Sequence, residues 1–366
     1  MRLVYLSPVP WQSFAQRPQK FVEWFHDRTA GEVLWVDPYP TRLPRVVDCL
    51  RVNRESRGVS PKAPSWLKIL TPRALPIEPL PVVNRINTLL WRKVFDRTSV
   101  FASEGPCWIG VGKPSRLALR VLTSVPGISS FYDVMDDFSA FYSGWSRSAM
   151  KKSESLLLHR VGNVLVSSST SLNRMRSLGK EVVPVPNGCD INQLPLVSAL
   201  PKRPAQPVLG YVGTIGYWFN WSMVISLARN NPTILLRLIG PVHQFASGPL
   251  PENVELRPPC SHAEAIQAIQ GFSVGLIPFK QNALTASVDP IKYYEYRALG
   301  LPVISTSFGE MVNRWHEPGV FLVGEGHDLD QVVRAALTFR FKAGEIEAFR
   351  CANSWKARFD ASGILR

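Results

Sequence analysis

The stretch VDPIKYYEYRALGLPVIST, residues 288–306, sets one carboxylate, Glu295, among Tyr293, Tyr294 and Tyr296, and follows it with Gly300, Pro302 and a short apolar run. The run over 302–305 reads as a buried strand, and Pro290 suits the first turn of a helix over 291–299. Upstream, 274–278 reads as another strand, which ends in Phe279 and Lys280 before the polar loop QNALTASVD. Strand, loop and helix in that order bring the helix N-terminus to the carboxyl edge of a parallel sheet. Free backbone N–H groups there can receive a diphosphate. Glu295 lies about one turn into the helix. A carboxylate there can hold the two hydroxyls of a ribose. The competing reading is a solvated or helix-paired glutamate.

The alternation extends to both sides. Toward the N-terminus, runs at 3–6, 33–36, 108–111, 130–132, 164–166 and 182–185 read as strands, with helix-period segments over 17–28, 115–123, 147–160 and 170–178. A basic, proline-rich stretch from 42 to 81 interrupts the pattern. The segment LPKRPAQP, 200–207, has the composition of a linker. Beyond it, strands are expected at 208–212, 234–239, 254–256, 274–278, 302–305 and 321–323, with helices over 221–229, 262–270 and 291–299 and two more at the C-terminus. Such alternation makes parallel sheets covered by helices. Two blocks around one linker predict an α/β chain of two doubly wound, Rossmann-like domains facing a cleft, with ligands beyond the strands' carboxyl ends. The expected boundaries are 1–199, 200–342 and a C-terminal helical segment, 343–366, suited to cross back to the first domain.

Forty-two basic against 28 acidic side chains give a formal charge of +14, which favours anionic partners. The basic residues Arg42, Arg45, Arg51, Arg54, Arg57, Lys62, Lys68 and Arg73 surround Trp66 and Leu67, and Trp91, Arg92 and Lys93 follow. Basic residues interleaved with tryptophan suit an anionic membrane surface. No apolar run approaches the ~18 residues of a membrane span, and no leader-type apolar core follows Met1. The five cysteines form no close pair, so a disulfide framework or zinc site is not expected and a reducing compartment fits. No helix-turn-helix, zinc-finger or RNA-binding signature accompanies the charge, so no nucleic-acid partner is expected.

The stretch around Glu295 resembles the nucleotide-binding helix of retaining GT-B glycosyltransferases, especially those of family 4. The matching residues are Pro290, Lys292, Tyr293, Tyr294, Glu295, Tyr296, Ala298, Gly300, Pro302, Val303 and Ile304. GYVGTIGYWFN at 210–220, LIGP at 238–241 and PNGCD at 186–190 are further matching pieces, and the likeness covers most of 130–310. The resemblance implies that Glu295 binds the donor's ribose. It also implies that Gly213, Thr214, Ile215 and Gly216 face the donor phosphates and that the backbone from Ser287 through Val288, Asp289, Pro290 and Ile291 approaches the diphosphate. Lys292 either assists charge balance or is a surface lysine. The family usually carries a second glutamate eight positions before the first; here that position is Ser287, with Asp289 nearby. The cations usual after the first strand of the second domain are also missing from TIGYWFNW. Arg17, after the first strand of the chain, is the candidate replacement, with a surface arginine as the other reading.

FYDVMDDFSAFY, 131–142, is the other conspicuous patch. Asp133 ends a strand at the carboxyl edge, and Asp136 and Asp137 follow. They are the candidate catalytic carboxylates, contacting sugar or acceptor hydroxyl, while one of them is also placed to cap the next helix. His243, after Gly240 and Pro241, is a candidate near the nucleotide or an exposed loop residue. Asn187, Gly188 and Asp190 read as a tight turn in which Asn and Gly take positive φ.

The resulting expectation is a retaining, metal-independent glycosyltransferase with no cofactor beyond its UDP- or GDP-sugar donor. The acceptor would be a glycan or a lipid-diphosphate-linked sugar in cell-surface polysaccharide biosynthesis. The location would be cytoplasmic, peripheral on the inner face of the membrane. The alternatives are a GT-B protein that binds sugar nucleotide without turnover and a polyanion-binding protein.

Overall fold

The computed structural model describes the chain except residues 14–15, 40–62, 77–79, 201–203, 325 and 366. Two compact units are present: residues 1–166 with 173–184, and residues 167–172 with 185–366. Among the described residues no helix is long and apolar enough to cross a membrane.

The first unit is built on seven parallel strands: β1 (Arg2–Leu6), β2 (Glu32–Val36), β3 (Leu67–Leu70), β4 (Cys107–Val111), β5 (Ser129–Val134), β6 (Asn163–Val166) and β7 (Val183–Pro184). They lie in the order β3-β2-β1-β4-β5-β6-β7, so the chain reverses its direction of growth between β1 and β4. Leu3 pairs with Val33 on one side and Trp108 on the other, and β1 is buried from Leu3 to Leu6. Both faces of its sheet are covered, which is why these strands read as continuous apolar runs.

Three elements depart from the sequence reading. β3 and the helices Pro81–Leu90 and Arg92–Ser103 occupy ground where the pattern had seemed to break. β3 is a four-residue edge strand carrying the exposed Lys68, so its apolar signal is short. The two helices bury Asn87, Trp91, Val94, Thr98 and Phe101, a helical stripe that two polar residues disguise. Trp91 is fully buried against Tyr39, and Trp66 stacks on His26 at 4.5 Å. Trp91 therefore serves packing, while Trp66 is half-buried. Arg42, Arg45, Arg51, Arg54, Arg57 and Lys62 lie outside the described residues.

The second unit has six parallel strands: β8 (Val208–Val212), β9 (Leu235–Ile239), β10 (Val254–Arg257), β11 (Val274–Ile277), β12 (Val303–Thr306) and β13 (Val320–Val323). Their order is β10-β9-β8-β11-β12-β13, with the reversal between β8 and β11. Alternate residues of β8 enter opposite cores. Val208 and Val212 join Phe272, Tyr293, Tyr294 and Tyr296, while Leu209 and Tyr211 join Leu236, Leu276 and Ile304.

Gly210 and Gly275 are register partners across the reversal. Phe272 lies over the first and Tyr296 over the second, so a Cβ at either position would come within 2.2 Å of a ring atom. The Tyr296 hydroxyl thereby reaches the end of β8 and accepts the Val212 N–H at 3.3 Å. Neither Asn187 nor Gly188 has positive φ. The turn at 187–190 needs its glycine for proximity, because a Cβ on Gly188 would lie 2.7 Å from the Asn353 carbonyl oxygen.

Gly275→Val drives two methyl groups into the space held by Tyr296. It is expected to destabilise the protein by about 1–3 kcal/mol or more through overpacking. Urea denaturation measures this, and an unchanged midpoint would show that the ring is not pressed on β11.

Candidate functional site

The loops leaving β8 and β9 lie side by side. Gly213 has φ +152° and Gly240 φ +142°, and a Cβ on Gly240 would stand 2.1 Å from the Gly213 carbonyl oxygen. Only glycine satisfies both the dihedral and the approach. Ile215 N–H donates to Pro241 C=O at 2.9 Å, and its own C=O accepts from the N–H groups of His243 and Gln244. Residues 213–216 and His243 are thus brought together. Ile215 and Gly216 are buried, Thr214 is half-buried and His243 is exposed. On the other flank, Asn220 N–H donates to Pro278 C=O and Lys280 N–H to Trp218 C=O, each at 2.7 Å. The β8 loop is therefore tied to the β11 end across the topological reversal, where doubly wound sheets hold their ligands.

The segment 282–290 leads from that edge into the helix Ile291–Ala298. Pro290 is its N-cap, and the Tyr293 N–H folds back on the Pro290 C=O at 3.0 Å. The N–H groups of Ile291 and Lys292 belong to the first turn and have no intrahelical acceptor. Glu295 is 6 % exposed, and one oxygen accepts from Lys292 Nζ at 2.5 Å. Tyr293, Tyr294 and Tyr296 are core residues that seat the helix, leaving Glu295 and Lys292 as its polar pair. Ser287 is buried and Val288 half-buried; the Val288 C=O accepts the Glu310 N–H at 3.0 Å.

Asp289 has no exposed side-chain surface. One oxygen accepts from Asn187 N–H at 2.7 Å and from the Tyr294 hydroxyl at 2.9 Å. The other accepts from Arg314 Nη2 at 2.7 Å. Asn187 Nδ2 also donates to the Asp289 C=O at 2.7 Å. Burial opposes the Arg314 charge, but Asp289 outweighs it and holds the guanidinium pKa above its ordinary value. Arg314 Cζ sits 3.9 Å from the Tyr293 ring centroid. Arg314 was not among the sequence candidates. No local pattern marks a pairing across 25 residues. Lys280 is half-buried at the β11 end.

In the first unit, Arg17 begins the helix Arg17–Thr29, and its guanidinium forks onto Asp133 in β5, with Nε 2.9 Å from Oδ2 and Nη2 2.8 Å from Oδ1. Both residues are almost wholly buried, so this charge is internally matched. Asp137 caps the short turn Phe138–Phe141, accepting Ser139 N–H at 3.0 Å. Asp136 is half-buried, and burial pushes its carboxyl up to about 7. Nearby Arg17 works against that rise, while Asp137 and Asp133 add to it.

Two outcomes follow from these clusters. Arg314→Met leaves the Asp289 carboxylate buried without its cation and is expected to cost about 3–5 kcal/mol in urea denaturation. A raised carboxyl pKa stabilises the folded state while the group is protonated, and that contribution is lost as pH rises through the folded value. Asp136→Asn should therefore melt higher than the parent above pH 7 or so, with the advantage shrinking toward the ordinary carboxylate range near pH 4. Equal melting temperatures across that interval would remove the perturbed carboxyl.

No protein-family model matches the chain. TuaH of Bacillus subtilis (strain 168), named for a proposed glycosyltransferase role in teichuronic acid biosynthesis, is 25% identical over 221 residues. The match takes in 54% of this chain and 55% of TuaH, so it spans about half the length of that relative. Among solved structures, sucrose-phosphate synthase from Thermosynechococcus elongatus superposes with a TM-score of 0.69 at 14% identity, covering 100% of this chain and 98% of that one. HepE (Alr3699) of Anabaena in complex with UDP gives 0.61 at 13% identity, covering 100% and 99%. HepE has also been solved with UDP and glucose. At such identities the likeness is one of fold, and with two parallel sheets in these strand orders it establishes the chain as a GT-B fold protein of two Rossmann-like domains.

Proposed function

We propose that the protein is a glycosyltransferase. It moves a sugar from a UDP- or GDP-sugar to a glycan or lipid-diphosphate-linked acceptor in cell-surface polysaccharide biosynthesis, with retention of anomeric configuration. The observation that carries this reading is the placement of Glu295 in the first turns of the helix that follows the reversal-point loop. The glycine loops 213–216 and 240–244 flank that edge. UDP in the HepE structures and the name of TuaH support the donor class and the pathway.

In this reading Glu295 accepts hydrogen bonds from the ribose hydroxyls, and ribose displaces Lys292 from one carboxylate oxygen. The N–H groups of Ile291 and Lys292 and the loop at 213–216 receive the diphosphate. Lys280 adds the cation for which Arg17, committed to Asp133, was the sequence candidate. As the bond from the anomeric carbon to the leaving phosphate breaks, its electron pair passes to the diphosphate, and these donors stabilise the developing charge without a resident metal. The acceptor hydroxyl forms the new bond on the same face. Its proton passes to the departing phosphate oxygen.

A second reading, binding without turnover, draws on Ser287 standing where related enzymes have a carboxylate. Calorimetric titration with UDP and GDP tests the donor site, since Glu295→Ala should weaken the preferred nucleotide at least about tenfold, the loss of a charge-assisted hydrogen-bond pair. No binding of either nucleotide would remove the ribose role of Glu295. Binding without sugar-nucleotide consumption in the presence of acceptor lipids would favour the second reading.

A further inference from the structure

The helices Pro81–Leu90 and Arg92–Ser103 run into one another through Trp91 (φ −85°, ψ −2°), whose C=O accepts the Phe95 N–H at 3.0 Å. Helical spacing therefore continues across the join. One face is spent on the unit's interior: Asn87, Trp91, Val94, Thr98 and Phe101 are buried, and Asn87 bonds both the N–H and the C=O of Leu75. A second apolar stripe lies on the opposite face. Val82 is 69% exposed, Ile86 39%, Leu89 56%, Leu90 44% and Val100 58%. Val82, Ile86 and Leu89 stand at i, i+4 and i+7, and Lys93 and Val100 continue the same line. Arg85, Arg92 and Arg97 flank it, all exposed, with Asp96 as the single acid.

A soluble helix needs one apolar face, and this one has two. The outward aliphatic stripe carries four cations against one anion, on a chain of net charge +14. Exposed aliphatics bordered by arginine and lysine match a bilayer surface, where side chains enter the acyl boundary and guanidinium groups meet lipid phosphates. We infer that the outward face of residues 82–100 is a docking surface for a membrane rich in anionic lipid. This rests on the proposed reading for its purpose, which is to hold the enzyme beside a lipid-linked acceptor, but the surface chemistry and its test do not depend on that reading. It also places the membrane contact on aliphatic residues beyond the basic stretch, where Trp91 is fully buried and Trp66 is half-buried and stacked on His26.

The test is flotation of the purified full chain with equimolar phosphatidylglycerol–phosphatidylcholine vesicles and with pure phosphatidylcholine vesicles. The parent should float with the first and remain below with the second. Ile86→Glu with Leu89→Glu should abolish flotation, and Arg85→Glu with Arg92→Glu should lower partitioning by roughly tenfold or more. Calorimetric nucleotide binding by the same variants reports on fold and donor site, so failure of the docking surface is separable from failure of the enzymatic reading. Flotation insensitive to both pairs of substitutions would overturn the inference, as would no flotation of the parent. A concentration-dependent dimer dissolved by the Ile86 and Leu89 substitutions would instead assign the face to a second copy of the chain.

Discussion

Asp289 is the point on which the architecture around the Ile291–Ala298 helix depends. A carboxylate without solvent must have every lone pair answered. The answers here come from the turn at Asn187, the helix hydroxyl of Tyr294 and the cation of Arg314 beyond β12. Three segments separated in sequence, at Asn187, at 289–294 and at Arg314, are thereby held at one spot. The helix that carries Glu295 inherits its angle and height from this junction. Replacing one partner affects the others, because Tyr294 and Arg314 also bond each other at 2.8 Å.

Much of this was legible in the residues. β8 and β11 are uninterrupted apolar runs because their sheet is covered on both faces, and such runs announce themselves. The helix after Pro290 was legible for the same reason, through its buried tyrosines. β3 escaped because an edge strand of four residues, one of them lysine, carries little periodic signal. The helix pair after residue 80 escaped because Asn87 and Thr98 sit in its buried face, while aliphatic residues occupy its outward one. Arg314 and Gly240 act through contacts that close only in three dimensions, and neither has a local signature of its role.

The first unit handles its acids by division of labour. Asp133 is neutralised internally by Arg17, Asp137 is engaged by the turn it caps, and Asp136 keeps solvent access and a perturbed carboxyl. Three neighbouring aspartates that look alike in sequence thus have different environments. Burial and hydrogen bonding separate them, and spacing alone does not.

Gly210 and Gly275 leave a smooth strip across the middle strands of the second sheet, and Phe272 and Tyr296 lie flat on it. An aromatic ring pressed onto backbone has no free volume in which to turn over. Rotation of the Tyr296 ring about its own axis requires β8 and β11 to loosen, at the position where the loop 213–216 departs. The ring-flip rate of this one tyrosine is therefore coupled to the breathing of the sheet at its reversal point, and it offers a spectroscopic clock for motions of the 213–216 loop that leave the average structure unchanged.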